Sequence, residues 1–223
     1  MMPTVFTETF PAPAVCREEI LRYAGVREAV PEISSLLEEV LQEAEAVISC
    51  RVCWQKLPIQ ACGEELNLSF ARTRSESLRR HLHCCSHIVL FGATVGIGLD
   101  RLIVRYGKTS PAKALLLQAI GAERIEALCN LFSEKIKNAA AAEGLHTTSR
   151  FSPGYGDLPL ELQRDIFGTL NCGGKIGLTL NESLMMSPSK SVTAIIGIGS
   201  CRQKTVTGCG SCSKQDCIHR RSL

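Results

Sequence analysis

The sequence predicts an α+β fold in which several helices pack against a mainly antiparallel sheet. Apolar residues repeat at helical spacing in several segments, and other short segments carry the apolar runs or alternating patterns of strands. The two kinds of segment do not alternate regularly, so the pattern does not favour a doubly wound parallel sheet. The chain has 223 residues, 45% of them hydrophobic, which is enough to bury a core of its own.

The first part of the chain is predicted to hold helices and two strands. Residues 17–23 form a short amphipathic helix, and Pro31 suits the first position of a longer one. The buried stripe of that longer helix contains Ile33, Leu36, Leu37, Val40, Leu41, Ala44 and Val47. Residues 64–72 alternate in a way that predicts a half-buried strand. The pattern continues with a helix over 75–84, a strand over 87–91 and a helix carrying Leu99 to Tyr106.

The second part begins with two more helices and ends in strands. Ser110 and Pro111 predict a helix start, and Gly121 is expected to end that helix near Ile120. Another helix is predicted over 122–142. The remaining predicted elements are a turn-rich link over 150–155, a helix over 159–170 and strands over 176–180 and 191–199.

Charge and hydropathy exclude two classes of protein. The net charge of +3 is too balanced for a typical nucleic-acid binder, and no apolar run approaches the roughly 20 residues of a membrane span. Residues 1–16 do not have the pattern of a signal peptide. We therefore expect a cytoplasmic protein, in which the 12 cysteines are reduced thiols, metal ligands or redox groups.

The most informative segment is the link over 150–155. Arg150 offers a planar fork that suits a carboxylate, and Pro153-Gly154 allows a sharp bend close to a ligand. Tyr155 supplies a ring and a hydroxyl, and Ser152 supplies main-chain groups at the turn. These residues suit an amino-acid end attached to a flat aromatic base. The alternative is an ordinary loop with a surface arginine and an anchoring tyrosine.

The order of motifs from 150 to 197 distinguishes these two interpretations. The signature Arg-x-x-x-Gly-Tyr is followed by a helix, then Leu-Thr-x-x-Glu-Ser, a Met, a Pro and Ser-Val. This order resembles the activation domain of cobalamin-dependent methionine synthase. The resemblance implies that fold, and it implies that Arg150, Ser152, Gly154 and Tyr155 bind S-adenosylmethionine.

The same resemblance adds two acidic residues to the candidate binding site. Phe132-Ser-Glu134 lies where the family has Phe-Ala-Glu, which implies that Glu134 helps to hold the amino end of the ligand. Glu182 corresponds to the Glu of the family's Leu-Thr-Glu-Ser, but two residues are inserted before it here. Glu182 is therefore either an outer acid of the site or a turn residue. The family's aromatic residues after the Ser-Val strand are missing.

The resemblance implies an accessory role in reactivating methionine synthase. Such a domain presents S-adenosylmethionine to an oxidised cobalamin, and an electron donor such as flavodoxin or ferredoxin supplies one electron. The sequence has no corrinoid-binding Asp-x-His-x-x-Gly motif, so the expected partner is a separate methionine synthase that holds the cobalamin and lacks its own activation domain. No catalytic acid, base or nucleophile is expected. The alternatives are an iron–sulfur or zinc protein and a stand-alone methyltransferase.

The C-terminal residues form a separate candidate site. We divide the chain into an S-adenosylmethionine-binding domain over 1–199 and a Cys-rich tail over 200–223. Cys201, Cys209, Cys212 and Cys217 have spacing that suits zinc or an iron–sulfur cluster, which could relay the electron. A reduced tail without metal is the alternative.

Three other motifs are weaker. Cys50-Arg-Val-Cys53 has no second pair nearby, and the helical register expected for residues 81–87 puts His83 and His87 on one face, away from His81 and Cys84. Residues 92–98 are rich in glycine but lack the spacing of a phosphate-binding loop. Close packing of a strand and a helix explains those glycines.

Overall fold

The computed structural model describes residues 4–27 and 30–201. In chain order its elements are β1 (Phe6–Phe10), α1 (Arg17–Tyr23), α2 (Pro31–Glu45), β2 (Cys50–Pro58), β3 (Gln60–Cys62), β4 (Glu65–Asn67), β5 (Arg72–Thr73), α3 (Glu76–His81), β6 (Cys85–Thr94), α4 (Ile97–Thr109), α5 (Pro111–Ala142), β7 (His146–Thr147), α6 (Leu162–Leu170), α7 (Cys172–Ile176), β8 (Thr179–Leu180), β9 (Met186–Ser187) and β10 (Ser191–Gly199).

A five-stranded antiparallel sheet organises the fold. Its strand order is β1-β2-β6-β10-β7, and every neighbouring pair is antiparallel. Two small sheets, β3-β4-β5 and β8-β9, lie apart from it. The predicted α+β class with a mainly antiparallel sheet is therefore confirmed.

Both faces of the main sheet are buried, which explains the apolar runs of its inner strands. In β6, Val89 and Phe91 belong to one core, while Ile88 and Leu90 belong to the other. Side chains alternate between the two faces of a strand, so a strand covered on both sides is apolar at nearly every position. The first core lies between the sheet and α1, α2, α4 and α5. The second lies between the opposite face and α3, α6 and α7.

The aromatic centre of the first core is Phe132 on α5. Its ring centroid lies 4.9 Å from that of Phe91 on β6 and 6.1 Å from that of Trp54 on β2. All three rings are thus packed where α5 crosses the sheet. Because Phe132 turns one side of α5 toward the sheet, the opposite side of the helix faces away from it. The candidate site lies on that opposite side.

The helix predicted to end near Ile120 does not end there, and this prediction was wrong. α5 runs without a break through Gly121 to Ala142. A Cβ atom at Gly121 would lie 2.6 Å from Leu99 Cδ2 of α4 and 2.7 Å from Lys190 Cγ. The glycine therefore allows close packing rather than ending the helix, and tertiary contacts outweigh its low helix propensity of about 1 kcal/mol.

Other differences concern short segments. Strand β2 was not predicted, since its residues follow a long helix and include polar side chains. The strand expected over 64–72 is divided into β4 and β5 by a turn that contains Ser69 with a positive φ. Most of the strand expected over 176–180 is replaced by α7 and a turn. Strand β10 was predicted with the bounds that the structure gives. No described helix is both long and apolar enough to span a bilayer.

Candidate ligand-binding site

Arg150 lies at the edge of the main sheet and reaches the outer face of α5. The next residue, Phe151, exchanges two main-chain hydrogen bonds of 2.9 Å with Ile195 of β10, which extends that edge beyond β7. Arg150 Nη2 donates to Glu126 Oε2 and to Asn130 Oδ1, both at 2.9 Å. Arg150 Nη1 is buried and has no hydrogen-bond partner. The guanidinium is thus fixed by one nitrogen and keeps a donor for another acceptor.

A groove of about 410 Å³ runs between α1 and α5. Glu126, Asn130 and Glu134 follow each other at four-residue spacing on α5, so they share one face of the helix. All three line the groove, and α1 contributes Glu19 and Tyr23 to its other wall. Arg150 therefore stands at the margin of this groove, bonded to two of its lining residues.

Glu134 is an exposed member of this face. Its carboxylate pairs with Lys137 Nζ at 3.0 Å, one turn further along α5. Both side chains are 60% exposed, so the pair is solvated and adds little to stability. The carboxylate can consequently exchange the lysine for a ligand cation at low energetic cost.

The bend predicted at Pro153-Gly154 is present. Gly154 has φ +87°, and its N–H donates to Leu158 O at 2.9 Å. The N–H of Tyr155 donates to Ser152 O at 3.1 Å, which closes the turn. The region of positive φ favours glycine, because a Cβ there is strained. The bend leaves Tyr155 61% exposed, with its ring centroid 6.2 Å from that of Phe151.

The loop after this bend is fastened to the N-terminus of α3 by Asp157. Its carboxylate accepts hydrogen bonds from Ser75 Oγ at 2.5 Å, from Glu76 N at 2.7 Å and from Ser77 N at 3.1 Å. The bond from Ser75, with those from the two main-chain groups, holds the pKa of Asp157 well below its usual value. Sequence reasoning missed Asp157, because the pattern gave no reason to pair it with residues about 80 positions earlier.

His81 supports the other end of the same segment. His81 Nε2 lies 2.8 Å from Ser149 O, and its ring packs at a tilt of 44° against that of Phe151, with the centroids 5.0 Å apart. Burial lowers the pKa of this histidine. The His81 side chain therefore contacts the segment next to Arg150 through both its ring and its Nε2 atom. Because α3 ends at His81 and Cys85 already begins β6, the helical register expected for residues 81–87 was wrong.

Glu182 lies in a different part of the fold. It is exposed in the turn between β8 and β9, where its main-chain carbonyl accepts from Arg164 Nη2 of α6 at 2.9 Å. α6 covers the second core, whereas α5 covers the first. The structure thus brings Glu134 and Arg150 to the same α5 face, and it places Glu182 beside α6.

The weaker motifs have structural explanations. Cys50 and Cys53 point to opposite faces of β2, so they do not chelate one metal; Cys53 Sγ instead lies 3.8 Å from Cys172 Sγ. A Cβ at Gly98 would lie 2.5 Å from Val47 O, which agrees with close packing of the glycine-rich segment. Within residues 4–27 and 30–201, no three His, Cys, Asp or Glu side chains are arranged to hold a metal ion. Cys201 is the last described residue, and Cys209, Cys212 and Cys217 lie outside the described part.

Comparisons with known proteins identify the fold and the family. One solved structure, described as the "MetH Reactivation Domain bound to AdoHcy", matches with a TM-score of 0.62 at 15% sequence identity, covering 90% of this chain and 80% of that one. No curated protein is a significant match. The family model for "Vitamin B12 dependent methionine synthase, activation domain" matches residues 71–219. Because this match spans more than half of the chain, the protein belongs to the family of vitamin B12-dependent methionine synthase activation domains.

Proposed function

We propose that this chain binds S-adenosylmethionine between Arg150 and the outer face of α5, and that it supports the reductive remethylation of cobalamin held by a methionine synthase. The observation that carries the proposal is Arg150, whose Nη2 is fixed by α5 while Nη1 has no partner. A buried donor left without an acceptor costs about 1–3 kcal/mol. A ligand carboxylate would remove that cost.

The charges of the groove suit the rest of this ligand. S-Adenosylmethionine carries an ammonium group and a sulfonium centre beside its carboxylate. Glu126 and Glu134 line the same groove and present carboxylates on one face of α5. The carboxylates of this α5 face, beside the Arg150 guanidinium, therefore complement a ligand with two cationic centres and one anionic end.

The loop over 152–155 supplies the contacts for a flat base. Tyr155 is mostly exposed. The positive φ of Gly154 favours a residue without a Cβ, so no side chain projects from the bend at that position. Ser152 contributes its main-chain carbonyl to this turn. We assign the adenine end of the ligand to this loop. For Glu182 we propose the role of a turn residue, because it lies beside α6, which covers the other core.

The chemistry of methyl transfer belongs to the bound groups, while this chain binds and orients the donor. Cobalamin is a carrier that can accept a methyl group after a one-electron reduction. We propose that it is held by a separate methionine synthase that lacks its own activation domain. Flavodoxin or ferredoxin is the proposed electron donor. The nine described cysteines are free thiols, which supports a cytoplasmic location, where thiols are kept reduced.

Isothermal titration calorimetry with S-adenosylhomocysteine and S-adenosylmethionine tests ligand binding. We expect Arg150→Ala to weaken binding of either ligand about 10- to 100-fold, because it removes a charge-assisted pair of roughly 1.5–3 kcal/mol. Arg101→Ala is a matched control, since Arg101 is exposed on α4 and faces solvent. Circular dichroism shows whether each variant is folded. Unchanged binding by folded Arg150→Ala would refute the site.

A reconstituted reaction tests the functional role. A methionine synthase without its activation domain is inactivated as the cobalt(II) form, and its cobalamin spectrum is followed after addition of this chain, S-adenosylmethionine and reduced flavodoxin. We expect the methylcobalamin spectrum to return only when all three are present. Methyl transfer to another substrate without any corrinoid protein would instead support a stand-alone methyltransferase.

A further inference from the structure

Two thiols that the proposed function does not use meet inside the second core. Cys53 of β2 and Cys172 of α7 are both 0% exposed, and their Sγ atoms lie 3.8 Å apart. We propose that this pair is a site of oxidation, at which a small peroxide converts the two thiols into a disulfide that joins α7 to the main sheet. The proposal goes beyond the proposed function, because it uses none of the residues of the groove.

The backbone holds the two sulfur atoms side by side. Cys53 lies opposite Gly92 of β6 in the main sheet. A Cβ at position 92 would lie 3.2 Å from Cys172 Sγ and 3.6 Å from Cys53 Sγ, so the glycine leaves the space beside which both sulfur atoms lie. Cys172 is the first residue of α7, and its carbonyl accepts from Leu178 N at 3.2 Å just beyond the end of that short helix. A disulfide requires the sulfur atoms to approach to about 2.05 Å, and side-chain rotation is the movement available to them.

The two thiols differ in their tendency to ionise. The hydrogen bond with Cys172 lowers the pKa of the Cys53 thiol. The same bond, together with burial, raises the pKa of Cys172. The thiolate is the nucleophilic form of cysteine, so Cys53 is the residue that attacks the oxidant and Cys172 is the residue that completes the disulfide.

The oxidation proceeds in two balanced steps. The Cys53 thiolate attacks one oxygen of hydrogen peroxide, which forms a sulfur–oxygen bond and breaks the oxygen–oxygen bond. The hydroxide that leaves combines with the proton that Cys53 had lost and becomes water. Cys172 Sγ then displaces the hydroxyl group of the Cys53 sulfenic acid, and that hydroxyl leaves with the Cys172 proton as a second water. The two thiols thus lose two electrons and two protons, and one peroxide is reduced to two waters.

Burial decides which reagents reach the pair. Hydrogen peroxide is close to water in size, and local opening of the fold admits such small molecules to a core. Larger thiol reagents such as N-ethylmaleimide react first with exposed cysteines, which include Cys16 and Cys62. The buried pair should therefore survive alkylation of the folded protein and still respond to peroxide.

Differential alkylation of the full chain tests the proposal. The accessible thiols of the folded protein are blocked with N-ethylmaleimide, and hydrogen peroxide is then added and later destroyed with catalase. The protein is unfolded in guanidinium with isotopically heavy N-ethylmaleimide and digested without reduction. We expect mass spectrometry to show linked peptides that contain Cys53 and Cys172. They should be absent without peroxide and should disappear when the digest is reduced.

Thermal unfolding measures the effect of the cross-link on stability. The link would join residues 119 positions apart, so it should restrict the unfolded chain and raise the melting temperature by about 5–15 °C. Cys172→Ala should abolish both the linked peptides and this shift. Cys129→Ala is the matched control, because Cys129 is also 0% exposed but belongs to the first core, and it should keep both. Circular dichroism shows whether each variant is folded.

Three results with the unsubstituted chain would overturn the proposal, and none of them depends on the folding of a variant. In the first, both thiols still carry the heavy label after treatment with peroxide. In the second, Cys53 is oxidised to the sulfinic acid without forming the link. In the third, the linked peptides join Cys53 or Cys172 to a different cysteine, because the pairing in the folded core would then not direct the reaction.

Discussion

Replacement of Arg124 by methionine should be the most destabilising single change near the groove. Arg124 is 1% exposed and pairs with Glu123, which is 5% exposed. Its Nη1 and Nη2 donate to Pro13 O at 2.6 Å and to Ala14 O at 2.9 Å. Arg124 thus ties the segment before α1 to the middle of α5.

The expected magnitude follows from the charge that is left behind. Methionine fills much of the volume of arginine, so the loss of packing is small. The Glu123 carboxylate, however, would remain buried without its cation, and breaking a buried pair in this way costs about 3–5 kcal/mol. That is a large fraction of the roughly 5–15 kcal/mol by which a domain is stable. Glu123 also accepts from Cys16 N at 3.3 Å, so the start of α1 should loosen as well.

Urea unfolding followed by circular dichroism measures this loss. Arg124→Met should reduce the free energy of unfolding by about 3–5 kcal/mol, and the double variant Glu123→Gln/Arg124→Met should recover at least half of it, because no charge is then buried. Affinity for S-adenosylhomocysteine should fall in the single variant, since α1 forms one wall of the groove. A loss below about 1 kcal/mol, or a double variant no more stable than the single one, would refute this reasoning.

Three further predictions concern stability and the loop over 152–155. Gly121→Ala should destabilise the protein by about 1–3 kcal/mol in urea unfolding through its clash with α4, whereas Gly107→Ala, which meets nothing within 4 Å, should stabilise it by about 0.5–1 kcal/mol; equal effects would contradict the packing argument. Asp157→Asn should lower the melting temperature at neutral pH. Because the folded-state pKa of Asp157 is depressed, this difference should be full above its ordinary value of 3.8 and should shrink as the pH falls below it; a constant difference down to acid pH would count against the carboxylate. Tyr155→Ala should weaken S-adenosylhomocysteine binding about 5- to 10-fold in calorimetry without changing the unfolding midpoint, since the ring is mostly exposed; unchanged binding would remove Tyr155 from the site.

Much of the architecture could be predicted from patterns along the chain. The fold class, α1 and β10 follow from local periodicity. A helix was also expected over 75–84, but α3 ends at His81; Ser75 accepts from Leu78 N as its helix cap at 3.1 Å. The division of α5 at Gly121 was wrong because helix propensity is a local quantity. The contact that explains this glycine is with α4, which no window around residue 121 contains.

The residues of the candidate site could be predicted only where they are close in sequence. Arg150 and the bend at Gly154 belong to one short motif, so their order along the chain was informative. Asp157 contacts three residues at the start of α3, about 80 positions earlier in the chain. The elements between them in sequence bring the two segments together, so no local pattern could reveal the contact.

The pairing of Phe151 with Ile195 has a consequence for how a ligand would be received. If this segment moved outward on binding, it would break two main-chain hydrogen bonds and expose the edge of β10. An exposed strand edge can pair with other chains. The arginine and the bend beside it are therefore held in position before any small molecule arrives. Association should then require little ordering of the protein, so its entropic penalty should be small and its rate should be set by encounter rather than by rearrangement.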